Sequence, residues 1–396
     1  MRATLATLAL AALLFGCRTP AQRAAEIMAS PGATPLQRLR AQALLAARGG
    51  LSPENAFFPI GLYDVPLEAL DQAAAAGFNT IVNGDKDNPA YLARCEALGL
   101  RLVPYVRLGA IEQDTSRAAG QRALWAWYLF DEPDINQWPA DKIAAGFEAL
   151  RKADPSRPIF LVVWAPPRYA EFMSSCDVFG VTPYPIVKLD ARENDLRRVG
   201  CWLDAARRQA DGRPVWAILQ AFWAEPHWPR NPTAQEWRAM VYIAVNHGAS
   251  GLVAFGYKSG DQPLPCHKPL WEAIARANAE LAALRAAIVQ PPIPAACAVR
   301  REDWAPFDDD PSVRRRSPLD CSLRRLPGAR MLIAVNPDPW PKTASLDLGP
   351  TFAAPANDVE LFADPSRGPV NLPANRRLEL DFNPFEARLF LLPVLR

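Results

Sequence analysis

The strongest constraint on the fold is a regular alternation of short apolar runs and amphipathic stretches. Eight such runs occur, at 57–65, 78–84, 101–107, 123–130, 158–165, 176–185, 214–223 and 249–258. Short, bulky runs are typical of strands buried on both faces. The helical stretches between them are 66–76, 89–98, 140–153, 194–209 and 233–247. Eight strand–helix units predict a (β/α)8 TIM barrel, because a doubly wound open sheet usually has fewer strands.

The sequence pattern changes after a proline-rich segment at 290–294, which follows a predicted helix at 270–288 that closes the barrel. Short alternating runs then occur at 331–335, 344–348, 359–362, 378–382 and 387–392. Turn residues separate them, as expected for a small antiparallel β-sandwich. The predicted organisation is a helical segment at 18–50, a barrel at 51–290 and a β-sandwich at 291–396.

Residues 1–17 have the pattern of an export signal. Arg2 supplies a positive charge, and the apolar stretch 3–15 is too short to span a bilayer. The end of the stretch, Leu14-Phe15-Gly16-Cys17, resembles a bacterial lipobox, in which the cysteine is lipidated after cleavage. The alternative is an ordinary signal peptide with an incidental Cys17. Both predict an exported protein, and lipidation of Cys17 predicts a membrane anchor in the periplasm or at the cell surface.

Composition excludes several other classes. The net charge is +2 with no basic stripe, so nucleic acid is not an expected partner. No Cys-x-x-Cys occurs and the three histidines lack metal-site spacing, so no metal or other cofactor is expected. Export permits disulfides, and local separation favours Cys176–Cys201 and Cys297–Cys321. The oligomeric state is left open.

The fourth apolar run ends in Asp131-Glu132-Pro133. Burying adjacent carboxylates is unfavourable unless they are paired, whereas catalysis uses such burial to raise a pKa. The local alternative is a helix start, with Asp131 as N-cap and Pro133 in the first turn. Barrel enzymes carry their sites at the C-terminal ends of strands. The position of this pair at the fourth strand end therefore favours a functional role.

The other strand ends carry polar and aromatic side chains that suit a sugar. Carboxylates and amides bind hydroxyls, and aromatic faces pack on C–H surfaces. The candidates for substrate binding are Asp64, Asn83, Arg107, Trp164, Tyr184, Gln220, Trp223, Tyr257 and Lys258. Structural roles are the alternative for each: Asp64 is also placed to cap a helix, and Trp164 to fill the core.

This arrangement resembles the clan A glycoside hydrolases, which are (β/α)8 barrels with an acid/base Glu after strand 4, commonly in Asn-Glu-Pro. Glu132 occupies that place. The segment 176–185 resembles strand 6 of related barrels, where a Tyr faces the sugar, as Tyr184 would here. The resemblance implies a hydrolase of oligo- or polysaccharides with Glu132 as general acid/base, with Arg107 and Tyr184 shaping the site and Trp164 and Trp223 stacking on the sugar. It indicates no single family.

The strand 7 segment departs from the clan A pattern, because Gln220 stands where a nucleophilic Glu is usual. An amide cannot serve as a carboxylate nucleophile. Three hypotheses remain. Glu225 reaches the site from the following loop; Asp131 and Glu132 act together, as in substrate-assisted hexosaminidases, where the Asp orients an acetamido group; or the barrel binds carbohydrate without cutting it.

Overall fold

A computed structural model describes residues 30, 37, 57–294, 298–299, 319–364 and 366–395. The export signal with Cys17, nearly all of the predicted helical segment at 18–50, and Cys297 lie outside the described residues.

Eight parallel strands form the first sheet. They are β1 Ile60–Tyr63, β2 Thr80–Val82, β3 Arg101–Val103, β4 Trp127–Asp131, β5 Ile159–Val163, β6 Val178–Val181, β7 Val215–Gln220 and β8 Gly251–Phe255. Their order is β3-β2-β1-β8-β7-β6-β5-β4. Parallel bridges from Leu102 to Leu124 and from Tyr105 to Tyr128 join the two outer strands, so the barrel is nearly closed. The predicted fold class is confirmed.

Helices cover the outside of the barrel. They are α1 Leu70–Ala75, α2 Pro89–Leu98, α3 Ile111–Arg117, α4 Ala140–Ala153, α5 Tyr169–Phe172, α6 Arg197–Arg207, α7 Ala234–Asn246 and α8 Lys268–Ile288. Short 3-10 turns occupy Leu67–Ala69, Leu108–Ala110, Pro166–Arg168, Met173–Ser175, Ala191–Glu193 and Leu264–Cys266. The capping box of Thr233 and Glu236 starts α7. The helix after β4 starts only at Ala140, with Pro139 as its N-cap, so Asp131 caps no helix.

Aromatic side chains fill the barrel interior, because alternate strand residues point inward. Trp125 and Trp216 stack with ring centroids 5.6 Å apart near the N-terminal ends of the strands. Tyr63 and Tyr128 occupy the other end and are buried. The barrel interior is therefore filled with aromatic side chains toward the N-terminal ends of the strands, and the polar groups lie at the C-terminal face.

In the described residues after the barrel strands, ten further strands follow. They are β9 Lys258–Ser259, β10 Gln262–Pro263, β11 Ile293–Pro294, β12 Ala298–Val299, β13 Asp320–Leu326, β14 Ala329–Val335, β15 Lys342–Asp347, β16 Glu360–Leu361, β17 Arg377–Phe382 and β18 Ala387–Pro393. The first two form a hairpin beside the site. The others form two antiparallel sheets, ordered β11-β13-β14-β18-β16 and β12-β15-β17. Leu332, Leu346 and Phe390 belong to the core shared by the two sheets, as expected for a sandwich.

The cysteines correct one prediction. Cys176 is a buried free thiol packed between the strand and helix layers, so the predicted Cys176–Cys201 bridge is wrong. Its thiol donates instead to the Met173 carbonyl. Cys321 is disulfide-bonded, and its pairing with Cys297 stays a prediction. Within the described ranges, every helix is too short or too polar to cross a membrane.

Candidate active site

The C-terminal ends of the strands surround a pocket of about 360 Å³. Its lining comes from β1, β4, β6, β7, β8 and the β9–β10 hairpin: Tyr63, Asp131, Glu132, Thr182, Tyr184, Phe222, Trp223, Ala224, Trp228, Phe255, Lys258 and Gly260. Two of these lining residues carry carboxylates and six are aromatic. Polar groups within an aromatic enclosure are typical of small-molecule sites.

Glu132 has a backbone conformation that is rare for its residue type, with φ of +46°. The surrounding hydrogen bonds hold it there, since its N–H donates to the Val162 carbonyl and its carbonyl accepts from the N–H groups of Ile135 and Asn136. Its carboxylate Oε1 accepts a 2.7 Å hydrogen bond from the Thr182 hydroxyl. Strained residues held in this way cluster at functional sites.

Burial raises the pKa of Glu132 from 4.5 to about 7. The hydrogen bond from Thr182 works against this change, and the charges of Asp131 and Asp134 reinforce it. A carboxyl group with this pKa is available both as a proton donor and as a proton acceptor near neutral pH.

Asp131 is tied to the barrel interior. The Tyr128 hydroxyl donates a 2.5 Å hydrogen bond to Asp131 Oδ1, and the Asp131 N–H donates to the Tyr105 hydroxyl. Burial raises the pKa of Asp131, the hydrogen bond from Tyr128 opposes this, and the charge of Asp64 adds to the increase. Among the described residues, Asp131 Oδ2 has no hydrogen-bond partner, so this oxygen is available to a ligand.

Aromatic rings form another part of the pocket lining, called here the aromatic wall. Tyr184 contacts Phe222 edge-on at a centroid distance of 5.1 Å, and contacts Trp228 at 5.8 Å. Phe222 also packs on Phe255 at 5.4 Å. Trp228 is held in place by two backbone hydrogen bonds with Ala224. The wall offers ring faces and edges to an apolar ligand surface.

The structure brings together several of the residues predicted from the sequence. Asp131, Glu132, Tyr184, Trp223 and Lys258 all line the pocket.

Asp64 and Asn83 stand beside this pocket at the ends of β1 and β2. They are exposed and joined by a 2.6 Å hydrogen bond from Asn83 Nδ2 to Asp64 Oδ1.

The structure does not bring the two strand 7 candidates into the pocket. Gln220 is fully buried, and its amide hydrogen-bonds the backbone N–H and carbonyl of Ile186 and the carbonyl of Phe222. Glu225 lies exposed in the turn between Ala224 and Trp228. Neither residue lines the pocket.

Three other candidates also lie outside the pocket lining. Arg107 pairs with Asp114 on α3 rather than with Asp131 or Glu132. Trp164 packs edge-on against Trp202 on α6. Tyr257 is half-buried and packs on the layer between strands and helices.

Sequence reasoning missed several residues of the site. They are Tyr63, Tyr105, Tyr128, Thr182, Phe222, Trp228 and Phe255. A signal existed for Thr182, which stands two positions before Tyr184. Period-two alternation in β4 also distinguishes inward-facing Tyr128.

A larger cavity of about 590 Å³ lies between the barrel helices α7 and α8 and the sandwich loop at 383–387. Its acid Glu280 is already paired with Arg238 and accepts from the Tyr242 hydroxyl. In the described part of the chain, no cluster of three or more His, Cys, Asp or Glu side chains could hold a metal ion.

No protein-family model matches the chain, and neither does any curated protein. Solved structures do match in fold. A noncanonic maltogenic alpha-amylase, AmyB from Thermotoga neapolitana, is 10% identical with a TM-score of 0.56, over 85% of this chain and 99% of that one. An alpha-amylase from Geobacillus thermoleovorans, solved with acarbose, is 10% identical with a TM-score of 0.54, over 86% and 99%. A GH30 endoxylanase from Clostridium papyrosolvens C71 is 9% identical with a TM-score of 0.53, over 86% and 96%.

Two further structures, a GH2 beta-galacturonidase from Eisenbergiella tayi and a beta-galactosidase from the psychrophilic Marinomonas ef1, have TM-scores of 0.44 and 0.46, and the match covers only 50% and 59% of their chains. The three matches with TM-scores above 0.5 show that the chain has the barrel-plus-β-domain fold found in glycoside hydrolases, as the resemblance predicted. Identities near 10% indicate no particular family within that class.

Proposed function

We propose that this protein is a glycoside hydrolase acting on an oligo- or polysaccharide, with Glu132 as general acid/base and Asp131 acting beside it. One observation carries the proposal. Of the residues that the structure describes, the carboxylates lining the pocket are Asp131 and Glu132, and the pKa of Glu132 is raised to about 7. The shared fold of sugar-cleaving enzymes supports the class of reaction but not the residues or the substrate.

The adjacent carboxylates take different roles. Protonated Glu132 donates its proton to the leaving oxygen, and the resulting carboxylate then accepts a proton from the attacking water. Asp131 Oδ2 accepts the N–H of a 2-acetamido group, which orients the acetamido carbonyl oxygen toward the anomeric carbon. The substrate then supplies the nucleophile, so hydrolysis needs no carboxylate beyond the two that line the pocket among the described residues.

The rest of the pocket suits a sugar in this position. Trp223 and Tyr184 offer apolar surface to the C–H face of the ring. In the aromatic wall, the rings of Phe222, Trp228 and Phe255 accommodate the acetamido methyl group. Asp64 and Asn83 are placed to bind hydroxyls at the rim.

The test is turnover of a panel of aryl glycosides with and without the 2-acetamido group. We expect hydrolysis of a 2-acetamido glycoside, and a decrease in kcat/KM of about 10²–10⁴ in Glu132→Gln. Glu148→Gln, an exposed change on α4, controls for loss of a surface carboxylate. An unchanged kcat/KM in Glu132→Gln would refute the assignment of the general acid.

Glu225 separates the mechanisms. Because it lies exposed in its turn, Glu225→Ala should retain hydrolysis. If Glu225→Ala abolishes turnover while its circular dichroism spectrum is unchanged, the loop moves in the complex and Glu225 is the nucleophile or base.

A carbohydrate-binding barrel without activity is the second candidate. The specific observation in its favour is Gln220, whose amide is fully engaged with backbone groups at the usual nucleophile position. Binding of an oligosaccharide with no turnover across the panel would establish this alternative.

We also propose that the protein is exported and anchored to a membrane through a lipid on Cys17. The sequence pattern of residues 1–17 is the support. Intact mass of the mature protein tests it, since an unmodified Cys17 in the purified protein would refute anchoring.

A further inference from the structure

A chain of hydrogen bonds runs from the pocket wall to Asp131 through two buried tyrosines. The hydroxyls of Tyr63 and Tyr128 lie 3.1 Å apart, and the Tyr128 hydroxyl is 2.5 Å from Asp131 Oδ1. The two tyrosines are only 3% and 1% exposed. Tyr63 lines the pocket, whereas Tyr128 lies beneath it.

The direction of this chain follows from the number of protons available. Each tyrosine hydroxyl carries one proton. Ionised Asp131 can only accept, so the proton of Tyr128 points to Asp131 Oδ1. The Tyr128 oxygen must then accept from Tyr63. The proton of Tyr63 is therefore used in the hydrogen bond to Tyr128, so the Tyr63 oxygen can only accept a hydrogen bond from a ligand in the pocket.

We propose that Tyr63 and Tyr128 are positioning residues that keep Asp131 ionised and fix its orientation, so that the proton of the carboxyl pair stays on Glu132. This inference rests on the proposed function, in which the two carboxylates divide the roles of acid and orienting group. Its physical basis is that a hydrogen bond to the charged form of a carboxylate stabilises that form.

The charges around Asp131 show why such donors are needed. The charges of Asp64 and Asp134 raise the pKa of Asp131, and Glu132 is a further acid next to it in the chain. Lys258 lines the same pocket but forms no ion pair with Asp131 within the described ranges. Without a cation, neutral donors must supply the stabilisation of the ionised form.

Four tyrosines face Asp131, and they differ in what they contact. Tyr128 donates directly to the carboxylate, Tyr63 donates to Tyr128, and Tyr105 accepts from the backbone N–H of Asp131. Tyr184 stands in the aromatic wall. Burial has the largest effect on all four and raises the pKa of each, so they stay protonated through neutral pH.

The direction of the chain also has a consequence for specificity. Because the Tyr63 oxygen can only accept, it should bind an O–H or N–H group of the substrate. A substrate that presents a carbonyl or ether oxygen at this point would leave two acceptors facing each other.

The experiment is the pH dependence of kcat/KM for the full chain and its Tyr128→Phe and Tyr63→Phe variants. Loss of the direct donor should move the acidic limb to higher pH by about one unit in Tyr128→Phe. A smaller shift in the same direction is expected for Tyr63→Phe. Tyr91→Phe is the matched control, because it removes a buried tyrosine hydroxyl that donates to the Val65 carbonyl and does not contact Asp131.

A second measurement separates failure of this inference from failure of the proposed function. Carboxyl ¹³C NMR titration of labelled Asp131 reports its pKa without any substrate. Suppose that the wild type turns over its substrate and Glu132→Gln does not. If the acidic limb and the NMR titration of Asp131 are then both unchanged in the tyrosine variants, the positioning role of the tyrosines is wrong and the proposed hydrolase function is retained. If no substrate is turned over, the proposed hydrolase function is refuted. The NMR titration of Asp131 in the tyrosine variants then tests the positioning role by itself. Should Tyr128→Phe not fold, Tyr63→Phe carries the same test.

Discussion

The Thr182 hydroxyl donates a 2.7 Å hydrogen bond to Glu132 Oε1, joining two strand ends that are 50 positions apart in the chain. Glu132 follows β4 and Thr182 follows β6, so only the closed arrangement of the strands brings them together. The bond stabilises the ionised form of a carboxylate that burial tends to protonate. The pKa of about 7 is the balance of this hydrogen bond against burial and the charges of Asp131 and Asp134.

Thr182→Val should raise the pKa of Glu132 above about 7, because the variant removes the hydrogen bond and keeps the shape of the side chain. Hydrogen bonds to charged groups contribute about 1.5–3 kcal/mol, which corresponds to a shift of roughly one unit or more. The alkaline limb of kcat/KM should move to higher pH by that amount. Thr182→Ser, which keeps the hydroxyl, should leave the limb near its original position; a limb that stays fixed in Thr182→Val would show that the bond does not set the pKa.

Gly260 determines the position of Trp223 in the pocket wall. It has a φ of +58°, and a Cβ at this position would overlap the Trp223 ring. Gly260→Ala should therefore displace the ring and raise KM several-fold, with a smaller effect on kcat. Steady-state kinetics on a glycoside that the wild type hydrolyses would measure this.

Gly212→Ala is the control for the change at Gly260. Gly212 also has a positive φ, of +78°, but has open space around its Cβ position. Both variants lose about 1 kcal/mol of stability from the backbone strain. Only Gly260→Ala should change KM, and equal KM values in the two variants would contradict a role for the Trp223 position.

The barrel could be predicted from the sequence because its signal is local. Apolar runs, helix caps and glycine at helix ends each depend on a few neighbouring residues. The position of Glu132 followed from counting strand ends. Strand β13 was not predicted, since its arginines hide the alternation; Arg324 is nevertheless buried and donates to the Val245 carbonyl.

The orientation of polar side chains could not be predicted, because their partners are distant in sequence. The Gln220 amide hydrogen-bonds the backbone of Ile186, and the two residues come close only because of the path of the loop after β6. Arg107 had a closer partner in Asp114, seven residues later, than the acids after β4. The tyrosine chain beneath Asp131 depends in the same way on the nearly closed barrel, which brings Tyr63 of β1 and Tyr128 of β4 together in its interior although the two strands are not paired.

His247 joins the barrel to the sandwich. Its Nδ1 lies 2.9 Å from Asp204 on α6, and its Nε2 lies 2.8 Å from Asp320 on β13. Burial alone would lower the pKa of His247, but the hydrogen bonds to the two carboxylates raise it to about 10. The protonated ring therefore stabilises the folded protein fully below pH 6.5, and this contribution is lost as the pH rises through about 10.

His247→Gln should lower the melting temperature by roughly 5 °C at pH 6, because it leaves two carboxylates without their cation. The difference from the wild type should shrink as the pH approaches 10. Thermal unfolding across this range measures it, with His227→Gln, an exposed change in the turn after β7, as control. A difference that is constant with pH would show that the ring acts by packing and not by charge.

Glu132→Gln should make the protein more stable at alkaline pH, although it removes the proposed acid. The pKa of Glu132 is about 7 in the folded protein and about 4.5 when unfolded. Between these values the folded state holds a proton that the unfolded state has released, so the free energy of unfolding falls as the pH rises. The loss reaches at most about 3 kcal/mol above pH 7.

A neutral amide at position 132 avoids this loss, and its carbonyl oxygen can still accept from Thr182. We expect equal melting temperatures for wild type and Glu132→Gln near pH 4, and a higher value for the variant near pH 8. Glu148→Gln should show no such divergence, because that carboxylate is exposed on α4. Parallel melting curves for the wild type and Glu132→Gln at all pH values would mean that burial does not penalise the Glu132 charge. In that case the Glu132 carboxylate would behave like one at an ordinary polar surface position, and its energetics would give no support to a functional role for this strand end.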